Sequence, residues 1–353
     1  MSSAALHVNG LGGDHGNLRP IYTQFADDSD VVVTHEPLRA YATGRWPSAD
    51  RHVMHLHWID HIGNGASAID GVRLAAQLFA YLVLVRARRS GLVWTMHNAT
   101  AHEVLHPRLE RIVQRGIAEL ATTIHVPNPA TLDLIAARWP DRIRRKARYL
   151  PLPDPTAGLP DIDRATARAA LHVETDQVLL VAFGAVRPYK GFDRLADAFV
   201  GAVRPNLRLV IAGACNDGGL ADVLEERLTG DDRAELRLVR QTDEQMAELL
   251  VAADWVVLPY VSGENSGVVT TALAIGVPVI VSDLPGLLAP LAAEPDARIV
   301  VRNAEGTGAL VAALEAAADT SPEAWARASA AASRIHEAEN HALTDRWRRL
   351  YLD

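Results

Sequence analysis

Twelve short apolar runs, alternating with longer stretches of helical spacing, constrain this chain more than any other feature. In the first half the runs lie at 6–8, 31–34, 53–58, 92–97, 123–126 and 147–150, with helical patterns at 18–25, 66–88, 107–120 and 129–139. The second half repeats the theme, with runs at 178–183, 207–212, 236–239, 255–258, 277–281 and 298–301. Its helical patterns fill 192–203, 220–228, 243–253 and 268–275, and the Ala-rich tail 305–351 is expected to be wholly helical. Short β-branched runs followed by helical segments are βαβ units, and these require a parallel sheet covered by helices. A chain of 353 residues exceeds one ordinary core, so two α/β domains are expected. Pro151, Pro153, Pro155 and then Pro160 interrupt the alternation. They place a Pro-rich linker at 151–165 between domains at 1–150 and 166–333, because proline ends both helices and sheet ladders.

Composition narrows the class. Apolar residues make up 49% and charged residues 22%, as in a soluble globular enzyme. A single cysteine, Cys215, excludes an internal disulfide. No basic-then-apolar leader and no apolar run of membrane-spanning length is legible. The expected compartment is therefore the cytosol. Charge divides unevenly: residues 1–160 hold 17 Lys/Arg against 14 Asp/Glu, whereas 161–353 hold 18 against 29. So acidic a second half argues against nucleic acid as partner, since phosphate backbones demand basic surfaces. Eleven of the 14 histidines precede residue 160, which gives the two halves different duties.

Two segments carry chemistry. Residues 258–282 read LPYVSGENSGVVTTALAIGVPVIVS: a strand end, a polar loop, a helix opening at Ser266-Gly267 and a second buried strand. Unpaired amides and the positive end of the helix dipole make such a start a site for an anion such as a diphosphate. Gly263, Ser266 and Gly267 are small enough for a ligand to approach the backbone. Residues 179–199 place Arg187 and Lys190 in a strand-to-helix loop, where two cations would complement the same phosphates. A plain strand–loop–helix connection and a solvated loop are the structural alternatives.

The pair FGAVRPYKGFDRLADAF and PYVSGENSGVVTTALAIGVPVIVSD resembles the donor-nucleotide domain of family 4-like glycosyltransferases. HLHWIDH and VWTMHNATAHE are similar to the acceptor-side strands of a bacterial glycan-assembly subgroup. The resemblance implies the GT-B fold, two Rossmann-like parallel-sheet domains facing a central cleft, and a last helix, 334–353, that crosses back to the first domain. It implies transfer of a sugar from a UDP- or GDP-sugar to a glycan, lipid-linked or natural-product acceptor, with retention of configuration and without a metal or other cofactor. Arg187, Lys190, Glu264, Asn265, Ser266, Gly267, Val268 and Thr271 would hold the donor, joined by Gly12 and Gly13 of the loop after the first strand. His97 matches a histidine placed near the donor sugar, and Asp60 is the candidate acceptor-activating base if the enzyme inverts. His57, Asp60, His61, Asn98 and His102 would line the acceptor side, with Asp60, His97, Lys190 and Arg187 the expected catalytic set.

The chain departs from the family pattern in two places. The usual Gly-Arg of the first motif stands as Gly184-Ala185, with arginine displaced to Arg187. The usual pair of glutamates eight positions apart is missing: Glu264 lies near the first position and the second falls on Thr271 or Ala272. Three other readings stay open. A His-x-His at His55 and His57 occurs in metal hydrolases. An epimerase acting on the nucleotide sugar would need carboxylates near the sugar. A degenerate, non-catalytic partner subunit would fit the missing glutamates. Peripheral membrane contact, at the inner face of the cell membrane, is a further expectation from the basic runs Arg86, Arg88, Arg89 and Arg142, Arg144, Arg145, Lys146, Arg148.

Overall fold

The structure, a computed structural model, describes residues 4–11, 18–58, 67–98 and 105–352. The chain divides into two compact units, Met1–Pro153 with Asn340–Asp353, and Asp154–Glu339. Each unit is built on one six-stranded sheet in which every recorded pairing is parallel.

In unit 1 the strands are β1 (Ala4–Gly10), β2 (Val31–Thr34), β3 (Ala49–Leu56), β4 (Gly91–Thr95), β5 (Thr123–Val126) and β6 (Ala147–Tyr149), in the spatial order β2-β1-β3-β4-β5-β6. The order reverses between β1 and β3, and parallel sheets bind ligands beyond the carboxyl ends of the strands at such a switch. Helix Pro107–Leu120 shows why the pattern was legible: Val113, Ile117 and Ala118 form one buried stripe, and proline opens the first turn, where its missing N–H costs nothing. The C-terminal helix Leu343–Leu352 belongs to this unit. Its Leu343, Trp347, Leu350 and Tyr351 are buried in a cluster with Leu6, Val8, Ile21, Phe25 and Leu150. The Trp347 indole N–H donates to the Pro151 carbonyl.

Unit 2 carries β7 (Val178–Phe183), β8 (Leu207–Ala212), β9 (Ala234–Arg237), β10 (Trp255–Leu258), β11 (Val279–Ser282) and β12 (Arg298–Val301), ordered β12-β11-β10-β7-β8-β9. Here the switch lies between β7 and β10, the strands that precede the two motifs. Apolar clusters cover both faces of this sheet. Continuous apolar runs are what burial on both faces demands. Helix Arg164–Ala170, which falls within the expected linker and its flank, is fastened to the sheet by charge. Asp254 accepts from Arg164 at 2.6 Å, Arg168 at 2.9 Å and the Leu179 amide at 2.7 Å.

Several expectations need correction. The tail is three helices, Gly306–Ala318, Pro322–Asn340 and Leu343–Leu352. Pro322 cannot donate back into the first, and Ala342 adopts a left-handed φ of 50° that ends the second. Strand β11 starts at Val279, two residues late, because Pro278 has no N–H for the ladder. Strand β9 lies two residues early, at Ala234–Arg237. Beyond it the Gln241 side chain occupies the Val239 carbonyl at 2.8 Å.

The loops beyond β7 and β8 touch through backbone. Gly213 has φ 146°, and a Cβ there would collide with the Gly184 carbonyl oxygen. Gly213→Ala should therefore lower unfolding stability by roughly 2–3 kcal/mol in urea titration, through strained φ and the displaced carbonyl. An unchanged midpoint would show that the two loops do not hold each other.

Candidate functional site

Beyond β7 the chain turns at Gly184 (φ 101°) and runs through Arg187 into a short 3₁₀ turn, Pro188–Lys190, closed by left-handed Gly191. Gly191 lies against the Pro259 carbonyl, too close for any side chain, and the Val261 amide donates to the Tyr189 carbonyl at 2.8 Å. The loops after β7 and β10 are thereby locked together. They converge on Gly184, where a Cβ would meet the Lys190 ammonium at 2.8 Å and the Val268 side chain at 3.6 Å.

Lys190 is the unusual residue. It is only 7% exposed, and its Nζ lies 5.6 Å from the Tyr260 ring centroid and 5.9 Å from that of Phe192. Among the described residues neither Lys190 nor Arg187 is in an ion pair with a carboxylate. Burial, then the neighbouring Arg187 charge, pull the Lys190 pKa down to about 8. A buried ammonium beside a second cation is an unfavourable arrangement in isolation and a favourable one around a multivalent anion.

The helix Gly267–Ala274 opens at this place. Its N-cap Ser266 makes no side-chain cap bond; the hydroxyl instead meets that of buried Tyr260 at 3.2 Å. Gly267 has nothing within 4 Å of where a Cβ would stand. The helix start is open, and its amides are not occupied by a capping side chain, which leaves the dipole's positive end for an anion. Gly286 packs against the Glu264 backbone, fixing the loop that carries Glu264 and Asn265, both half-buried. Thr271 donates its hydroxyl hydrogen to the Gly267 carbonyl at 2.8 Å. It can offer a ribose only lone pairs, unlike the carboxylate it replaces. Tyr260, which shapes the site, was missed; its signal is an aromatic residue directly after a buried strand.

The expected residues of unit 1 divide. Gly12, Gly13, Asp60, His61 and His102 lie outside the described residues. His57 and His97 come together, Nδ1 to Nε2 at 3.2 Å, and the Trp58 ring stacks on His97 at 4.6 Å; Asn98 follows, half-buried. Behind them the polar positions of the strands form one chain. His57 Nε2 meets the Tyr22 hydroxyl at 2.6 Å, and His55 Nδ1 meets those of Tyr22 and Tyr351 at 3.1 and 2.9 Å. His55 Nε2 meets Thr95 Oγ1 at 2.7 Å, which meets His125 Nδ1 at 2.8 Å; His125 Nε2 donates to the Leu150 carbonyl at 2.7 Å. Burial holds His55 and His57 well below the usual imidazole range, His97 at about 3 and His125 at about 4. These are neutral imidazoles. Among the described residues no three His, Cys, Asp or Glu are placed to hold a metal ion. Tyr22, Thr95, His125 and Tyr351 were not anticipated, though a histidine in the short run TTIHV was the available signal.

The basic runs are structural for the most part. Arg88 donates to the carbonyls of Tyr41, Ala42 and Gly44 and lies 3.8 Å over the Trp46 ring; Arg142 is paired with Glu119 at 2.7 Å and Arg144 with Asp141 at 3.0 Å. Lys146 and Arg148 bind local carbonyls, as does Arg86. What is exposed instead is apolar: Ile69, Val72, Ala76, Ala80, Val83 and Leu84 share one side of helix Ala68–Ala87. Among the described residues no helix is long and apolar enough to cross a membrane.

Residues 177–320 match the family model of glycosyl transferases group 1. Over 237 residues the chain is 27% identical to a GDP-mannose:glycolipid 4-beta-D-mannosyltransferase of Xanthomonas campestris, covering 65% of this chain and 60% of that enzyme. Over 172 residues it is 31% identical to a D-inositol 3-phosphate glycosyltransferase of Mycolicibacterium smegmatis, covering 47% and 38%. Two solved structures give the whole fold. Anabaena HepE, crystallised with UDP and glucose, has a TM-score of 0.70 at 13% identity over 99% of both chains. A sucrose-phosphate synthase from Thermosynechococcus elongatus has 0.71 at 17% identity, over 99% of this chain and 98% of that one. The chain is a GT-B protein of the family 4-like glycosyltransferase type. It spans well under two thirds of the length of either curated relative.

The histidine chain of this GT-B protein sets an acid limit. An imidazole that stays neutral when folded and protonates when unfolded loses stability as pH falls below the unfolded value of 6.5, by about 1.4 kcal/mol per pH unit for each group. His55, His57, His97 and His125 all have lowered folded values, with His7 likewise at about 4. The melting temperature should thus fall steadily from pH 6.5 toward 4, before the carboxylates protonate. A flat profile across that window would contradict buried neutral histidines.

Proposed function

We propose that this chain transfers a glycosyl group from a UDP- or GDP-sugar to a glycan or glycolipid acceptor. The observation that carries this reading is the buried Lys190 ammonium with Arg187 and no carboxylate, opposite an uncapped helix start. The names of the relatives support a nucleotide-sugar donor and a glycolipid-type acceptor. In this reading Lys190, Arg187 and the Ser266–Val268 amides hold the diphosphate and stabilise the charge that develops as the glycosidic bond breaks. Glu264, Asn265 and Thr271 contact the ribose or sugar. Two cations and a helix dipole supply the charge that a metal would otherwise bring, so transfer should survive EDTA; loss restored by zinc or manganese would overturn that mechanism.

Retention is the stereochemical reading, following the family resemblance. The Xanthomonas relative is named for a 4-beta linkage, and an α-linked donor giving a β product is inverted. Inversion needs a base at the acceptor hydroxyl, a role for Asp60. The anomeric configuration of the first-formed product, read by proton NMR, decides between them.

Lys190→Ala should raise donor KM or cut turnover at least tenfold, the ~1.5–3 kcal/mol of a charge-assisted hydrogen bond, with the fold intact by circular dichroism. Nucleotide affinity of the wild type should weaken as pH rises through about 8, where free Lys190 loses its proton. The variant should lack that step. Wild-type kinetics in Lys190→Ala, or an identical pH profile, would remove Lys190 from the site.

Peripheral membrane contact is part of this reading, with a changed basis. The exposed stripe Ile69, Val72, Ala76, Ala80 and Val83 would enter the headgroup boundary, whereas most of the basic side chains are engaged within the fold. Vesicle co-sedimentation should consequently persist in high salt and be lost in Val72→Asp/Val83→Asp. Binding that salt abolishes would restore the electrostatic account.

A further inference from the structure

We propose that the polar chain anchored on the Leu150 carbonyl fixes His97 as its Nδ1–H tautomer, with Tyr351, Tyr22 and His57 as positioning residues. Donor counting leads there. A carbonyl only accepts, so His125 carries its proton on Nε2 and presents a lone pair on Nδ1. The Thr95 hydroxyl must donate its one hydrogen to that lone pair, and hence accepts from His55 Nε2–H. His55 is left with a single lone pair, on Nδ1, faced by two buried hydroxyls, Tyr351 at 2.9 Å and Tyr22 at 3.1 Å.

Tyr351 decides the contest. It is 1% exposed, and His55 Nδ1 is its partner, so a rival taking that lone pair would leave a buried O–H unsatisfied, at a cost of about 1–3 kcal/mol. Tyr22 has an alternative, His57 Nε2 at 2.6 Å, the shorter of its two contacts. Tyr22 thus donates to His57, His57 carries its proton on Nδ1, and that proton is donated to His97 Nε2 at 3.2 Å. His97 accepts on Nε2 and carries its own proton on Nδ1. Protonating any imidazole twice would break this sequence, and burial opposes it at every ring.

The functional consequence rests on the proposed transferase reading, in which His97 lies near the transferred sugar. There its Nδ1 edge is a hydrogen-bond donor, suited to a sugar hydroxyl oxygen, and it cannot serve as the proton acceptor for the acceptor hydroxyl. A tyrosine on the C-terminal helix, 296 positions from His55 in sequence, sets that property.

The test is nitrogen-15 NMR of the full chain labelled at histidine, with His97 assigned by the signals lost in His97→Gln. At pH 7.5 the wild type should show an unprotonated Nε2 and a protonated Nδ1 at His97. Tyr351→Phe frees the His55 lone pair for Tyr22; His57 and His97 should then both move their protons to Nε2, and turnover should fall at least tenfold with nucleotide affinity unchanged. Wild-type His97 protonated on Nε2, or a folded Tyr351→Phe chain with unaltered tautomers, would overturn the relay. The wild-type spectrum alone is decisive should Tyr351→Phe not fold. If the tautomers behave as stated while turnover is unmoved in His97→Gln and Tyr351→Phe, the relay stands and the sugar-facing role of His97 falls.

Discussion

The arrangement on which unit 2 depends is a lysine ammonium enclosed by its fold with no carboxylate partner. Elsewhere in this unit charge is neutralised on the spot, as where Asp254 receives Arg164 and Arg168. At Lys190 it is left over, with Arg187 adding to it and two aromatic rings at its flank. Burying a cation this way costs stability, and the glycine-packed loops after β7, β8 and β10 are what hold it in place. Gly184, Gly191 and Gly213 make that possible because neighbouring backbone or the Lys190 ammonium lies where their side chains would be.

Unit 1 solves a different electrostatic problem. Its buried strand ends carry imidazoles and hydroxyls, and all are satisfied among themselves by neutral hydrogen bonds that end on a backbone carbonyl. A fully connected network of this kind specifies one set of rotamers and proton positions. One unit therefore presents uncompensated positive charge, the other a chain of neutral imidazoles with defined proton positions. That division mirrors the skew of histidine toward the first half of the sequence.

Much of this was legible beforehand. Strands at Val31–Thr34, Thr123–Val126, Val178–Phe183, Leu207–Ala212, Trp255–Leu258 and Arg298–Val301 fall where the apolar runs end, because a strand buried on both faces leaves sharp boundaries. Lys190 and Ser266 were found through strand–loop–helix spacing. Tyr351 and Tyr22 were not, since they meet His55 only after the C-terminal helix packs beside β1 and no local period records that. The basic runs misled for the same reason: Arg88 looks free in sequence and is held by three carbonyls in the fold. Charge runs report composition, whereas availability depends on tertiary partners.

The central claim is that the unpaired Lys190–Arg187 charge exists to receive a diphosphate. Isothermal titration of the wild-type chain with UDP, GDP, their monophosphates and the parent nucleosides tests it directly. The account predicts that one diphosphate binds at least tenfold more tightly than its monophosphate and far more tightly than its nucleoside, with affinity falling as salt rises. Equal affinity across diphosphate, monophosphate and nucleoside would contradict it, because recognition would then lie in the base and not in the buried charge.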